Sequence, residues 1–232
     1  MSALLKIDVV TLFPRMFEGP FAESIIGKAQ QKGLVAIQIH PLRKWSNDKR
    51  HAKVDDRTYG GGAGMLLQAE PLYQAIKALG GLKKSETRPW VISLSPQGQD
   101  FKQSVAQRLV KKKHLIILCG HYEGMDERVT SYIDQEISMG DFVLTGGEIP
   151  AMAVVDAVVR LMPGVVGDPR SLVEESFAQG LLEYPHYTRP AVWRGQRVPK
   201  VLLSGHHENI ALWRKREALE KTKRKKPWLL KV

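Results

Sequence analysis

Three short runs of this chain are dense in aliphatic residues: 4–12 (LLKIDVVTL), 90–94 (WVISL) and 114–119 (HLIILC). The last is unbroken from Leu115 to Cys119, so it lacks the alternation of a strand with one wet face. Strands of that kind are buried on both sides, which is the condition of a parallel sheet covered by helices. Helical stretches fall between the runs as such a sheet requires. The stretch 22–32 ends at Gly33, a residue suited to a left-handed cap, and 70–79 ends at Gly80-Gly81. The stretch 100–110 follows the second run, and 149–162 carries Pro150 near its first turn. A further strand is expected at 35–40. The expected class is α/β, and in such sheets ligands bind where loops leave the carboxyl ends of strands.

The 232 residues, 43% hydrophobic and 25% charged, suit one large globular domain or two small ones. The longest apolar stretch, 149–166, is interrupted by Asp156, Arg160 and Pro163, short of the roughly 20 residues of a membrane span. The N-terminal residues show neither a basic segment nor a small-residue cleavage site, and the single cysteine, Cys119, excludes a disulfide framework and a cysteine-cluster zinc site. A cytoplasmic protein without a membrane partner is expected.

The net charge of +11 is unevenly placed. Residues 1–188 hold 22 Lys and Arg against 21 Asp and Glu, whereas residues 189–232 hold 13 against 3. A basic run alone is equally the mark of a solubilising tail. Here Tyr184, Tyr187, Trp193, Trp213 and Trp228 are interleaved with the cations, and aromatic faces stack on bases while cations meet phosphates. Nucleic acid is the favoured partner. A membrane surface is less favoured, since the helix expected at 209–221 has no strong apolar face. Between the two regions, residues 163–176 lose periodicity and contain two prolines. The expected organisation is a domain at 1–163, a linker at 164–176 that lacks order without RNA, and a basic helical domain at 177–232.

Four loops are candidates for chemistry. The stretch from Val54 to Met65 contains Gly60, Gly62 and Gly64, but it follows a polar basic segment rather than a strand, so a dinucleotide-binding turn fails on context. It reads instead as a flexible loop that lets backbone approach a large ligand. Ser93–Gly98, Cys119–Arg128 and Ser138–Pro150 each carry glycines, and the first two follow strands directly. Loops of this kind at the carboxyl ends of neighbouring parallel strands converge on one pocket. Main-chain groups exposed by glycine suit the edge of an adenine, and the lack of a phosphate-cradling loop points to a ligand without phosphate. His206-His207-Glu208 resembles a metal cluster, but adjacent side chains diverge, so it is not read as one. His40, His51, His114 and His186 read as structural or surface residues.

Taken together, the segments resemble the bacterial tRNA (guanine-N1)-methyltransferases (TrmD) of the SPOUT superfamily. The matching blocks include Leu12-Phe-Pro14, Val54-Asp-Asp-Arg57, Tyr59-Gly-Gly-Gly62, Leu94-Ser-Pro-Gln-Gly98, Tyr122-Glu-Gly124, Asp126-Glu-Arg128, Gly146-Gly-Glu148, Pro185-His-Tyr-Thr-Arg-Pro190 and Leu202-Leu-Ser-Gly205. They run in order along nearly the whole chain. The resemblance implies a parallel sheet with a deep trefoil knot, a small C-terminal helical domain and a homodimer. It implies methyl transfer from S-adenosylmethionine to N1 of guanosine 37 in the tRNA anticodon stem-loop, with magnesium at a site it does not locate. It places adenosylmethionine against Leu94, Ser95, Pro96, Gln97, Gly98, Gly120, Tyr122, Glu123, Gly124, Ser138, Met139, Gly140, Asp141, Phe142, Val143, Leu144, Gly146, Gly147 and Pro150. It places the tRNA substrate at Tyr59, Gly64, His121 and Ser171.

The implied chemistry needs two further groups. Guanine N1 holds a proton at neutral pH, so a base removes it as the methyl arrives, and charge then develops on O6. The family's O6-stabilising arginine falls on Arg160. Its aspartate base before Ser-Phe is replaced here by Glu175 before Ser176-Phe177, with Glu174 as the alternative. His121 is a second departure, since some relatives carry arginine there. A SPOUT enzyme acting on ribose or ribosomal RNA, and a catalytically silent RNA-binding module, are the competing readings.

Overall fold

The computed structural model describes residues 5–85 and 87–230. Two compact units divide the chain, Met1–Gly167 and Asp168–Val232, and the division falls inside the 164–176 stretch. The first unit contains β1 (Leu5–Thr11), α1 (Glu18–Ala22), α2 (Ser24–Gln31), β2 (Val35–Pro41), β3 (Asp55–Asp56), β4 (Leu66–Leu67), α3 (Ala69–Ala78), β5 (Trp90–Asp100), α4 (Gln103–Leu109), β6 (His114–Cys119), β7 (Gln135–Ser138) and α5 (Glu148–Val159). The second holds α6 (Arg170–Glu174), β8 (Val192–Trp193), β9 (Gln196–Arg197), α7 (Lys200–Leu203) and α8 (His207–Lys225). Leu4, first residue of the run expected as a strand, lies outside the described residues.

Five strands form one sheet in the order β2-β1-β6-β5-β7, every neighbouring pair parallel. The side-chain period of two sorts its residues onto two faces. Ile7, Val9, Leu115, Ile117 and Ile92 pack with Ile26 and Ala29 of α2, Val105 of α4 and the buried side of α5. Val10, Ile116, Leu118 and Val91 pack with Leu72, Ala75 and Ile76 of α3, and with Leu67 of β4. Each such aliphatic side chain contributes roughly 1.5–3 kcal/mol by leaving water. Both faces are buried, as the aliphatic runs require. Among the described residues no helix is long and apolar enough to cross a membrane.

Several boundaries differ from the sequence expectation, each for a physical reason. The second run continues to Asp100 instead of ending at Leu94. The strand extrudes Ser95–Gly98 and then resumes pairing, so that Leu94 and Gln99 both face Ile137. Pro96 has no N–H for a ladder, which suits it to the extruded segment. The following helix therefore begins at Gln103, not at Asp100. Strand β7 was not anticipated, because Asp134, Gln135 and Glu136 mask its short apolar part. The 164–176 stretch, which shows no periodicity in the sequence, carries α6. In the second unit α8 extends to Lys225, and its Thr222 hydroxyl accepts the Leu182 N–H at 2.9 Å while donating to the Ala218 carbonyl at 2.7 Å.

One buried charge sits inside the sheet. Asp8 in β1 is 0% exposed. Its carboxylate accepts from His40 of β2 at 2.7 Å and from His114 of β6 at 2.5 Å, and the Lys6 ammonium lies 2.9 Å away. Burial alone would raise its pKa, but these three partners outweigh that and hold it at about 2. Because the folded value lies below the ordinary 3.8, the stabilisation is complete above pH 4 and is lost as pH falls toward 2. The shift corresponds to about 2 kcal/mol. Asp8→Asn is expected to lower the urea midpoint clearly at pH 7, and the deficit is expected to shrink as pH falls from 4 to 2. A deficit constant over that range would contradict this assignment.

Candidate active site

The strand-end loops meet as the parallel sheet demands. The extruded loop of β5 and the segments after β6 and β7, with the start of α5, enclose a cavity of about 350 Å³. From β5 and its extruded loop come Leu94, Ser95, Pro96 and Gln97; from the loop after β6 come Gly120, His121, Tyr122, Glu123 and Gly124. From β7 onward come Ser138, Met139, Phe142, Val143 and Leu144, followed by Gly146, Gly147 and Pro150. Of the residues expected against adenosylmethionine, Gly98, Gly140 and Asp141 stand outside this lining.

Close backbone approach explains the glycines. A Cβ on Gly147 would lie 2.8 Å from both the Cys119 Cα and the Gly120 nitrogen. The Gly147 N–H donates to the Gly120 carbonyl at 2.7 Å, so the start of α5 abuts the end of β6. Gly98 is excluded from the cavity for a similar reason. Its Cβ would fall 2.5 Å from the Ile137 nitrogen, because the extruded loop re-enters the sheet directly against β7. Gly140 adopts φ +135°, and the Ser138 hydroxyl closes that turn by accepting its N–H at 3.1 Å.

Below the cavity lies a buried polar junction. Glu148, 2% exposed, accepts the Thr11 hydroxyl at 2.7 Å. Its other oxygen is 3.9 Å from Nδ1 of His121, whose ring packs on Phe13 with centroids 4.8 Å apart. Gly146 leaves room for both groups, since a Cβ there would sit 2.4 Å from Glu148 Oε2 and 2.5 Å from His121 Nδ1. Burial, with the Glu148 charge added, pushes the Cys119 thiol well up, so this cysteine is no nucleophile at neutral pH.

The glycine-rich loop at 60–64 reaches the same rim. Gly60, Gly61, Gly62 and Gly64 all have positive φ. The Met65 N–H donates to Glu123 Oε2 at 2.7 Å, and a Cβ on Gly64 would overlap that carboxylate. Tyr59 is fully exposed and lines a second, more open cavity of about 600 Å³ with Arg57, Tyr73 and Arg128. Asp126 and Val129 belong to both cavities. The Asp126 carboxylate is held below the usual range chiefly by Arg128, whose Nε and Nη2 donate to it at 2.9 and 2.7 Å. Asp126 and Glu127 belong to the expected Cys119–Arg128 loop, whereas Val129 and Thr130 beyond it were not anticipated as lining. Those two lie in a 3₁₀ helix (Glu127–Tyr132), which leaves no 3.6-residue hydrophobic period to read.

The remaining predicted residues fall in both units. Arg160, half-buried, caps the end of α5. Ser171, in α6 of the second unit, donates through its hydroxyl to the Asp168 carbonyl at 2.7 Å. Glu175 follows α6 with extended backbone. Glu174 accepts the Tyr184 hydroxyl at 2.8 Å and lies 3.6 Å from Arg214, which also stacks over the Tyr184 ring. Among the described residues no group of three or more His, Cys, Asp or Glu side chains is arranged to hold a metal ion. The magnesium implied by the resemblance thus finds no ready-made cluster there.

A parallel sheet whose strand-end loops wall a glycine-rooted cavity, on one chain with a basic helical unit, defines an α/β protein with a ligand cavity. The family described as tRNA (Guanine-1)-methyltransferase TrmD matches residues 5–232. A tRNA (guanine-N(1)-)-methyltransferase of Dictyoglomus turgidum is 58% identical over 227 residues, covering 98% of this chain and 90% of that one. Those of Endomicrobium trichonymphae (52%, covering 98% and 100%) and Dehalococcoides mccartyi (56%, covering 97% and 90%) are similar over the same extent. The chain belongs to the tRNA (guanine-N1)-methyltransferase family and is an enzyme of that class.

The glycine contacts give a direct test. Gly147→Ala and Gly98→Ala force backbone apart and are expected to destabilise by about 1–3 kcal/mol. Gly19→Ala, in α1 with nothing within 4 Å, is expected to leave stability unchanged or slightly raised. Thermal midpoints of the three variants decide the point; an undisturbed Gly147→Ala would refute the close approach of α5 to β6.

Proposed function

We propose that this chain transfers a methyl group from S-adenosylmethionine to N1 of guanosine 37, just 3′ of the anticodon in tRNA, and works as a cytoplasmic homodimer. The observation that carries this reading is the cavity formed by the extruded loop of β5 and the segments after β6 and β7. Its walls combine main-chain groups at Gly120, Gly146 and Gly147 with apolar faces of Leu94, Ile137, Leu144 and Pro150. Such a lining fits adenosylmethionine, a flat base and a sulfonium without phosphate. When bound, that ligand supplies an electrophilic methyl group.

The chain's own residues then have four tasks. The glycine loops exclude bulk and hold the reacting groups close together, where misplacement by 1 Å costs about a hundredfold. Arg160 meets the charge developing on guanine O6. Glu175 takes the N1 proton. Glu175 is preferred because it stands directly before Ser176-Phe177, where the family's aspartate falls; Glu174, whose carboxylate Tyr184 and Arg214 engage, is the alternative. The basic C-terminal unit grips the tRNA backbone through counterion release.

Transfer of labelled methyl from adenosylmethionine to tRNA transcripts tests this reading. Label is expected on N1 of a transcript with guanosine at position 37 and absent from one with adenosine there. Label on both, or on neither, would overturn the assignment. Within that assay Glu175→Gln is expected to slow single-turnover transfer by about 10²–10⁴ and Glu174→Gln by less than tenfold. Arg160→Ala is expected to abolish turnover while adenosylmethionine binding is retained. The reverse order of the two glutamate variants would move the base to Glu174.

A further inference from the structure

Residues 186–197 are exposed without a break, yet they are not irregular. Val192 pairs with Arg197 and Trp193 with Gln196, and the Val198 N–H donates to the Ala191 carbonyl at 2.9 Å. The two turn residues, Arg194 and Gly195, hold φ of 49° and 78°. Positive φ at both is the mark of a tight two-residue turn whose twist matches its strands. A lone two-stranded hairpin is marginal in water. This one nonetheless presents its largest apolar group outward, with Trp193 58% exposed.

The chemistry around that indole is one-sided. The Arg194 guanidinium lies 5.0 Å from the ring centre. Gln196, directly across the hairpin, shares the face of Trp193. Between residues 184 and 207 the sequence contains Arg189, Arg194, Arg197 and Lys200 and neither Asp nor Glu. A flat ring with a cation over one face, the other face open, and an amide beside it complements one unpaired nucleotide. The base stacks on the indole, the amide meets the base edge, and the cations meet the flanking phosphates.

We propose that the hairpin of β8 and β9 is a stacking platform for a single unpaired nucleotide of the RNA substrate, with Trp193 taking the base and Arg194 an adjoining phosphate. This rests on the reading that the enzyme binds tRNA. Neither Trp193 nor Arg194 lines the strand-end cavity, so the platform is assigned to affinity and placement rather than to methyl transfer.

Filter binding of tRNA and steady-state methyl transfer by full-length Trp193→Ala, Trp193→Phe and Arg194→Ala test the platform. Trp193→Ala is expected to weaken tRNA binding about tenfold, the size of one lost base stack. KM for tRNA rises to match while kcat is retained, and Trp193→Phe recovers most of the loss. Arg194→Ala is expected to reduce the salt dependence of binding by about one phosphate contact. If wild-type enzyme methylates tRNA and both Trp193 variants bind it equally well, the platform is wrong and the family activity stands. A Trp193→Ala chain that changes its sedimentation mass with tRNA affinity intact would assign the hairpin to contact between copies, which also overturns the proposal. If wild-type protein neither binds nor methylates tRNA, the functional reading itself fails.

Discussion

Gly147 has no space for a side chain, and much of the first unit is arranged around that fact. Its N–H reaches the Gly120 carbonyl at 2.7 Å, which pins the first turn of α5 to the end of β6. The next residue, Glu148, accepts the Thr11 hydroxyl and so ties the same turn to β1. Three elements distant in sequence are thereby fixed at one point beneath the cavity. A negative charge in the first turn of a helix is also favourable with respect to the helix dipole, which helps to keep the buried Glu148 in place. The loops 120–124 and 138–147 depart from this junction, and their separation sets the cavity's width.

A second junction, at Asp8, keeps the middle of the sheet in register. An unpartnered carboxylate between β2 and β6 would be costly, and His40, His114 and Lys6 remove that cost from three directions. The two junctions divide the work. Asp8 stabilises the sheet that carries the strand ends, and Gly147 with Glu148 holds the loops that leave them. Neither lies in the basic unit.

Much of the first unit was legible because burial leaves a strong mark on sequence. The run 114–119 is strand β6 residue for residue, and 35–40 differs from β2 only by Pro41. The glycine loops were recognisable as a converging set for the same reason that parallel strands end on one edge. Less was legible where local pattern and tertiary contact disagree. The extruded Ser95–Gly98 segment looks like the end of a strand, because nothing local signals that pairing with β7 resumes at Gln99. Strand β7 has only Ile137 as an apolar anchor and is stabilised by its neighbour β5 rather than by its own composition. Val129 and Thr130 lie beyond the expected Cys119–Arg128 loop and became cavity lining through a 3₁₀ turn.

The sequence by itself determined the α/β class, the cluster of positive charge in the last 44 residues, the family and the identity of most loops around the cavity. These depend on residue type and spacing, which survive in one dimension. Only the tertiary structure decided which glycines face the cavity and which, like Gly98, are glycine because a neighbouring backbone passes within 2.5 Å. Only it bonded His40 and His114 to a shared carboxylate, engaged Glu174 with Tyr184 and Arg214, and stood Trp193 outward on a tight turn. Those outcomes rest on through-space distances between residues far apart in the chain, and no periodicity or motif encodes a distance of that kind.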